Sequence, residues 1–337
     1  MFIIRQSFRE DIDQILAVAK HLDTMNLPAH RDHLQRIVER SERSFRGDVE
    51  QHERELLFVL EDTDNGRIAG TSMIHAQHGT RRAPHVFFRV VKEERYSVTL
   101  DKYLVHQCFR IGYNYDGPTE IGGLILLPEY RGRPERLGKL LSYVRFLFIA
   151  MHRDWFRDRV LSELLPPLED DNTSALWNSL GKHFTGLTYQ EADLLSKDNK
   201  EFIHALFPHE LIYTSMLPKR ARDIIGRVGD EQRGVESMLR KIGFEYARQI
   251  DPFDGGPHFV ADTDEITLVD NAIRGRAGTG SDGGAPWGMV AVERDGQFRA
   301  TAGSFGVAPG TDHIRMDAAS LAALGAEVGE EVWWVAP

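Results

Sequence analysis

The sequence predicts an α+β fold: a mixed, mostly antiparallel sheet flanked by helices, followed by a small C-terminal β-barrel-like domain. Three observations predict it. Short apolar runs alternate with segments of helical spacing over residues 1–259. A buried strand at Ile121–Leu127 leads through a loop rich in Arg and Gly into a helix that ends near Met151. From residue 260 onward the pattern changes to short strands separated by glycines.

The segments before the central strand contain two helical patterns and four strand patterns. In the first helix, the apolar residues between Ile12 and Ala19 fall at i, i+3, i+4 and i+7. A hairpin turn is predicted at Asp64–Gly66, because the Asn-Gly pair tolerates positive φ. The predicted strands are 2–4, 56–60, 68–74 and 86–90, and the predicted helices are 12–19 and 30–45.

Beyond the central helix, a strand at Val160–Leu164 precedes several helices and a last strand pair whose turn is Asp254–Pro257. Residues 170–173 are of the types that start a helix, and residues 314–325 indicate a strand and a capped helix. The five glycines of residues 274–286 indicate a flexible loop. The other predicted helices are 175–181, 189–206, 218–228 and 232–242, and the other short strands are 289–292, 298–301 and 332–335.

This change of pattern predicts two domains. Residues 1–259 form the larger α+β domain, and residues 260–337 form a small β-rich domain that resembles double-psi barrels.

Composition and charge exclude several classes of protein. The formal net charge of −10 over 337 residues argues against general nucleic-acid binding. No apolar run approaches the ~18 residues that span a bilayer, and the charged N-terminus is unlike a signal peptide. We therefore expect a cytoplasmic protein without a membrane or nucleic-acid partner. Its single cysteine, Cys108, rules out an intrachain disulfide and is expected to be buried.

The loop after the central strand carries a concentration of positive charge at the start of a helix. Backbone N–H groups at a helix N-terminus and the helix dipole together favour anions. The loop fits neither of the common nucleotide-binding glycine motifs, and a solvated Arg-rich turn is the alternative interpretation. The residues predicted to bind an anionic cosubstrate are Arg131, Gly132, Arg133, Arg136, Gly138 and Lys139.

This loop resembles the acyl-CoA-binding loop of the GCN5-related N-acetyltransferase (GNAT) superfamily, Gln/Arg-x-x-Gly-x-Gly/Ala. The matching register is Arg133-x-x-Arg136-x-Gly138, in which Arg136 replaces a glycine. The element order β-α-α-β-β-β-α-β-α-β also matches the GNAT fold. The resemblance implies that the strand before the loop binds acyl-CoA and that backbone N–H groups near Leu124, Ile125 and Leu126 polarise the thioester carbonyl.

Several ordered blocks resemble the arginine N-succinyltransferase family more closely. They include Trp177-x-Ser179-Leu180-Gly181-Lys182-x-Phe184, Ile212-Tyr213-Thr214 and Phe253-Asp254-Gly255-Gly256-Pro257. The resemblance covers about residues 1–265 clearly. It implies succinyl transfer from succinyl-CoA, as a cosubstrate, to the α-amine of arginine in a cytoplasmic catabolic route, with no permanently bound cofactor. It also implies that Leu124 contacts succinyl-CoA, and that a homo-oligomer or a heteromer with a related subunit forms.

Two departures from the family pattern concern the active site. The basic loop is about two residues longer than the family's usual version. The family's proton donor is a His in a Gly-x-Val-His-Pro segment, which here reads Gly226-Arg227-Val228-Gly229-Asp230. Gly229 cannot carry a proton. Asp230 or another group therefore takes over, or the chemistry is altered, or the chain is a subunit that catalyses little.

Acyl transfer to an amine requires that the ammonium lose a proton and that the developing oxyanion be stabilised. The candidates for proton transfer are His209, Tyr213 and Glu120, the last acting through a water molecule. Each residue also suits a structural role: an exposed or packed His, a hydrogen-bonded core Tyr and a strand-edge carboxylate.

Two other groups of polar residues are of types that bind ligands. The carboxylates of Glu169–Asp171 suit a guanidinium, although a solvated helix start explains them equally well. His75, His78 and His85 do not share a tight ligand pattern, so the sequence predicts no metal site.

Three hypotheses of function follow. The chain is an arginine N-succinyltransferase, or an N-acyltransferase for another amine or acyl-CoA, or a weakly catalytic partner subunit of a heteromeric succinyltransferase. The first two predict turnover by the chain alone, whereas the third predicts CoA binding without turnover.

Overall fold

The fold was analysed in a computed structural model of the chain. The structure describes residues 1–21, 27–81, 83–169, 173–196, 200–280, 285–308 and 310–337. No helix among these residues is long and apolar enough to cross a membrane.

The described residues form sixteen strands, which we number in chain order. They are β1 (Phe2–Gln6), β2 (Glu55–Asp62), β3 (Arg67–His75), β4 (His85–Ser97), β5 (Lys102–Asn114), β6 (Thr119–Leu126), β7 (Arg159–Glu163), β8 (Ile212–Tyr213), β9 (Glu245–Ile250), β10 (Pro257–Asp262), β11 (Ile273–Thr279), β12 (Trp287–Arg294), β13 (Gln297–Ser304), β14 (Gly306–Val307), β15 (His313–Met316) and β16 (Glu331–Val335).

Eleven α-helices occur among the same described residues. They are α1 (Ile12–Ala19), α2 (Arg31–Phe45), α3 (Leu137–Met151), α4 (Ala175–Ser179), α5 (Gly181–Thr185), α6 (Tyr189–Ser196), α7 (Glu201–Leu206), α8 (Lys219–Ile224), α9 (Arg233–Lys241), α10 (Thr267–Asp270) and α11 (Ala318–Leu324).

The chain divides into two compact units, each assembled from separate segments. The first unit consists of residues 1–77, 119–158 and 262–337, and the second consists of residues 78–118 and 159–261. The chain thus passes back and forth between the units.

The first unit contains the central strand and the helix after it. Its strands run in the order β14-β15-β11-β16-β12-β13-β1-β2-β3-β6. The β11–β15 pair is parallel, whereas the pairs from β13 through β1, β2 and β3 to β6 are antiparallel. The apolar face of α3 is buried, including Leu140, Leu141 and Phe148. This burial, rather than helix propensity alone, stabilises the helix that follows the basic loop.

The second unit combines β7-β10-β9-β4-β5-β8 with helices α4 to α9. Its core contains fully buried Trp177, whose ring stacks on Phe253 at 4.9 Å. Phe88 and Phe109 stack across β4 and β5 at 5.1 Å. The family-like blocks around Trp177 and Phe253 therefore contribute to one hydrophobic core.

Many predicted elements are confirmed. The predicted hairpin turn ends at Gly66, whose φ is +68° and whose N–H donates to Asp62 O at 2.8 Å. The predicted capped helix is α11: the Asp317 carboxylate accepts from Ser320 N at 2.6 Å, and Gly325 ends the helix with φ +66°. Cys108 is buried, as expected.

Strands β5 and β11 differ most from the predicted elements. Strand β5 was missed, together with the long outer half of its hairpin with β4, because charged and aromatic residues interrupt the apolar alternation there. The glycine-rich segment 274–286 is not a loop throughout, because Arg274 to Thr279 belong to β11 and pair with β15 and β16. Residues 281–284 of that segment lie outside the described residues.

The C-terminal segment packs within the first unit. Strand β13 pairs with β1, and Phe298 lies 5.2 Å from Phe148 and 5.5 Å from Phe58, ring centre to ring centre. The chain does change unit near the predicted boundary, between Ala261 and Asp262. However, residues 262–337 group with residues 1–77 and 119–158, and not by themselves. Whether residues 260–337 fold independently stays a prediction.

Candidate active site

The basic loop of the first unit begins where β6 ends. Pro128 starts a short 3-10 turn that closes at Tyr130. Arg136 then precedes α3 in the left-handed region, with φ +59° and ψ +44°. Glycine is favoured in that region, so the conformation explains why the superfamily pattern has a glycine where this chain has Arg136.

Helix α3 presents free donor groups to the loop. The first N–H groups of a helix, here those of Leu137 and Gly138, have no acceptor within the helix. A Cβ added at Gly138 would contact only Leu126 Cδ2, at 3.7 Å, so an anion can approach this backbone closely.

The cationic side chains of the loop are held by local contacts. Arg131 Nε donates to Leu126 O at 3.0 Å, and the Arg133 guanidinium lies 4.5 Å from the centre of the Tyr130 ring. Lys139 Nζ lies 4.8 Å from the Trp287 ring, and the Arg136 guanidinium lies 6.0 Å from it. Arg131, Gly132, Arg133 and Arg136 are exposed, so an anion can reach these charges from solvent.

Strand β6 is irregular next to this loop. Gly123 has φ +56°, and the register with β3 shifts between Thr71 and Met73. Leu124 and Leu126 are half-buried, whereas Ile125 is buried. A bulge of this kind interrupts the ladder of backbone hydrogen bonds, so the stretch suits binding by backbone groups.

Sequence reasoning gave no role to Arg145, which is fully buried in α3. Its guanidinium donates to Ser142 O at 2.9 Å and Ser142 Oγ at 3.0 Å, and to Gly122 O of β6 at 3.3 Å. Burial lowers the pKa of Arg145 to about 9. A buried cation therefore fixes the backbone of β6 just before the irregular stretch.

The three predicted proton-transfer residues lie in different surroundings. Glu120 is buried in β6 of the first unit, paired in register with His75 of β3. His209 is exposed in the second unit, with Nε2 3.1 Å from His204 O. Tyr213 ends β8, and its hydroxyl accepts from Arg95 Nη2 at 3.1 Å. His209 and Tyr213 therefore contact different neighbours.

The position of the missing family histidine is well defined. Gly229 N donates to Leu165 O at 2.9 Å, and Gly229 has φ −63°, which any residue can adopt. A Cβ at this position would lie 3.1 Å from Pro166 O and 3.2 Å from Leu165 O. Asp230 is the residue that the sequence suggests in place of this histidine. Its side chain is 80% exposed and forms an ion pair with Arg233 at 2.7 Å.

The second unit also contains a cluster that the sequence did not predict. His85 Nε2 lies 3.3 Å from Glu163 Oε1, and His258 Nε2 lies 3.4 Å from the same oxygen. The rings of His78 and His85 are 4.6 Å apart. Both His85 and His258 are buried. Glu163 ends β7, just before the Leu165–Pro166 backbone that contacts Gly229.

Two aspartates lie next to this cluster. Asp251 Oδ1 accepts from Phe253 N at 2.7 Å and from Asp254 N at 3.0 Å. Burial and then the Glu163 carboxylate raise the pKa of Asp251 to about 7. Burial and then Asp251 raise the pKa of Asp254 well above its usual value. The site thus concentrates carboxyl groups that suit a cationic ligand.

The pKa of His85 shifts in the opposite direction. Burial, followed by the neighbouring His78 imidazole, lowers the pKa of His85 to about 3, and the Glu163 carboxylate offsets this only in part. At neutral pH the imidazole of His85 is therefore uncharged.

These opposite shifts predict opposite pH dependences of stability. Asp251 binds a proton more tightly when folded, so the parent loses stability relative to Asp251→Asn as pH rises from about 4 to 7. His85 binds a proton less tightly when folded, so the parent loses stability relative to His85→Gln as pH falls from about 6.5 to 3. Each slope should approach about 1.4 kcal/mol per pH unit. Urea unfolding across pH measures both, and parallel curves would contradict the assigned shifts.

Two further groups of residues were considered in the sequence as binding sites: the carboxylates of residues 169–171 and three histidines. Glu169 N donates to Thr173 O at 3.0 Å, whereas Asp170 and Asp171 lie outside the described residues. His75 belongs to the first unit, with Nδ1 3.9 Å from Glu55 Oε1, whereas His78 and His85 belong to the second. The three histidines considered together in sequence are therefore divided between the two units.

Comparison with known proteins gives consistent findings. The family described as "Arginine N-succinyltransferase beta subunit" matches residues 2–268. Proteins named arginine N-succinyltransferase from Shigella boydii serotype 18 and from Escherichia coli O6:K15:H31 are each 32% identical over 337 residues, which is 98% of this chain and 96% of the relative. The solved structure of arginine/ornithine succinyltransferase subunit AI from Pseudomonas aeruginosa has a TM-score of 0.86 and 26% identity, covering 100% of this chain and 98% of that one.

Proposed function

Because the chain belongs to the arginine N-succinyltransferase family, we propose that it transfers succinyl from succinyl-CoA to the α-amine of arginine, as a step in arginine catabolism. The observation that carries the proposal is the match over nearly the whole length of relatives with that name. The basic loop, the open helix start at Gly138 and the irregular β6 support the acyl-CoA part of it.

We assign the acyl-CoA cosubstrate to the first unit. The pyrophosphate would be held by the N–H groups at the start of α3 and by Arg131, Arg133, Arg136 and Lys139. Gly132 and Gly138 leave room for close approach of the phosphates. Leu124, Ile125 and Leu126 would contact the acyl end, where a backbone N–H could stabilise the oxyanion. No step requires a permanently bound cofactor.

For proton transfer we propose Glu120 acting through water, with His209 and Tyr213 as further candidates. Glu120 shares β6 with Leu124, which places a carboxylate on the strand assigned to the acyl group. A general acid or base contributes about 10²–10⁴-fold in rate.

Glu120→Gln should therefore lower kcat by about that factor and leave the Kd of CoA within about twofold. His209→Ala, at an exposed position, is the matched comparison, and a loss of kcat confined to it would move the role to His209. Unchanged kcat in both variants would exclude both residues as the group that transfers the proton.

Two alternatives are favoured by specific observations. The Pseudomonas relative is named as a subunit of an arginine/ornithine succinyltransferase, so ornithine is the first alternative acceptor. Gly229 replaces the family proton donor, and the family description speaks of a beta subunit, which favours a weakly catalytic partner in a heteromer.

A thiol-release assay separates these possibilities. The purified chain is given succinyl-CoA, acetyl-CoA or glutaryl-CoA together with arginine, ornithine or lysine. We expect the highest kcat/KM for succinyl-CoA with arginine. A higher value for another pair would replace the substrate assignment, and CoA binding without turnover would favour the partner-subunit function.

We also infer that the chain associates with a second copy of itself through the β4–β5 hairpin tip. Apolar side chains there are unusually exposed: Val98 by 83% and Leu100 by 67%, with Tyr103, Leu104 and Val105 at 50% or more. Such a patch on a monomer marks an interaction surface.

Val98→Ser combined with Leu100→Ser should therefore shift the molecular mass in solution toward that of one chain, as measured by light scattering. A parent that is already monomeric at every concentration would contradict the self-association. Retention of the parent's oligomeric mass by the variant would place the interface elsewhere.

Two further points complete the proposal. We propose that residues 260–337 form a β-rich, barrel-like module of the first unit, because one hydrophobic core comes entirely from this segment, including Ala277, Phe305 and Val332. We also propose a cytoplasmic location, where succinyl-CoA and arginine are both available.

A further inference from the structure

We propose that the second unit binds one divalent transition-metal ion of the Zn²⁺ type through His78, His85 and Glu163. The ligand atoms of these three residues all lie within 4.8 Å of one another. Two imidazoles and one carboxylate form a donor set that Zn²⁺ and its neighbours in the first transition row prefer. This inference goes beyond the proposed succinyl transfer, which requires no metal.

The distance between two of the donors fits a shared ion. Zn²⁺ bound to nitrogen and oxygen at about 2.0–2.2 Å with tetrahedral angles holds its ligand atoms roughly 3.3 Å apart. His85 Nε2 and Glu163 Oε1 are 3.3 Å apart. Among the described residues, this buried Nε2 has no hydrogen-bond partner of acceptable geometry. The third donor, His78, lies within 4.8 Å of the other two ligand atoms and is only half-buried, so the proposal requires its side chain to move closer when the ion binds.

The surroundings orient the His85 ring. Asn114 Nδ2 lies 3.4 Å from His85 Nδ1, so the other ring nitrogen points toward Glu163. A metal-bound histidine donates its second ring N–H to an acceptor, so for Nε2 to bind the ion the Asn114 amide must turn its Oδ1, in place of Nδ2, toward His85 Nδ1. The position is fixed by the β4–β5 pairing, in which His85 lies opposite Asn114.

A second set of donors, Glu163, Asp251 and His258, shares the same glutamate. We assign the ion to the first set because Asp251 Oδ1 already accepts two backbone N–H bonds. Three protein ligands leave one tetrahedral position for water. His258 Nε2, 3.4 Å from Glu163 Oε1, is then a neighbour of the site and not one of its ligands.

Calorimetric titration of chelator-treated protein with Zn²⁺ tests the proposal. We expect one equivalent per chain, and Co²⁺ in place of Zn²⁺ should give the strong visible absorption of a four-coordinate ion. His78→Gln and His85→Gln should each weaken Zn²⁺ binding more than about tenfold, and Asn114→Ala should weaken it by about 10–100-fold.

The control is His75→Gln, which removes a histidine of the first unit and should change the Kd by less than about twofold. If His85→Gln is not folded by circular dichroism, His78→Gln carries the test because its side chain is partly exposed. The proposal is overturned if the parent binds no stoichiometric Zn²⁺, if His78→Gln binds as tightly as the parent, or if only His258→Gln abolishes binding. These readouts involve no turnover, so they are independent of the succinyl-transfer assay.

Discussion

Replacing Arg131 and Arg133 together with alanine is expected to weaken succinyl-CoA binding by roughly 10- to 100-fold. A charge-assisted hydrogen bond contributes about 1.5–3 kcal/mol, and two such bonds would give more than this loss. Both side chains are exposed before the ligand binds, so solvation reduces the net effect. Acceptor preference should be unchanged, because the loop is assigned to phosphate and not to the amine.

The matched control is Arg220→Ala with Arg222→Ala, both within the short helix α8 of the second unit. It removes the same net charge from exposed positions with the same spacing. Titration of CoA into both double variants separates a specific loss from a general electrostatic one. Equal affinities for the two variants would show that the basic loop does not bind the pyrophosphate.

Restoring the family histidine with Gly229→His is expected to raise kcat by as much as about 10²–10⁴-fold. The backbone at Gly229 permits a side chain, with φ −63°. The new Cβ must nevertheless displace the carbonyl oxygens of Leu165 and Pro166, which would lie 3.1–3.2 Å away. Overpacking of this kind costs about 1–3 kcal/mol of stability.

Gly229→Ala is the control, because it introduces the same Cβ without an imidazole. Both variants should lose similar stability by thermal unfolding, and only Gly229→His should gain turnover. If Gly229→His is no faster than Gly229→Ala, another group already supplies the proton transfer, and the residues to replace next are Glu120 and His209.

The elements that we assign to acyl-CoA could be predicted because they are local in sequence. The strand, the basic loop and the helix from Leu137 to Met151 are consecutive, and helical spacing together with the glycines defines them. What the sequence could not predict was the left-handed conformation of Arg136, because only a glycine in that position would have signalled it.

The cluster of the second unit could not be predicted because its members come from three distant segments. His85 starts β4, Glu163 ends β7 and His258 lies in β10. These strands are distant in sequence, and only the folded chain brings His85 Nε2 and His258 Nε2 within 3.4 Å of Glu163 Oε1. The histidines that are close in sequence, His75 and His78, fall in different units. One available signal was Glu163, a charged residue within the predicted strand Val160–Leu164.

The β4–β5 hairpin shows a related limit. Its inner half contains the buried apolar run Val86–Phe88, but its outer half carries charges and exposed aromatic residues such as Tyr96 and Tyr103. Backbone pairing, and not burial, defines that outer half, so a prediction based on hydrophobic patterns ends too early.

The most direct test of the account is identification of the product formed by the purified chain alone. Incubation with succinyl-CoA and arginine, followed by mass spectrometry, should show arginine succinylated on its α-amine in an amount equal to the thiol released. Release of thiol without succinylarginine would contradict the assigned acceptor. Absence of both products, with CoA still bound, would contradict the assignment of this chain as a catalyst acting without a partner.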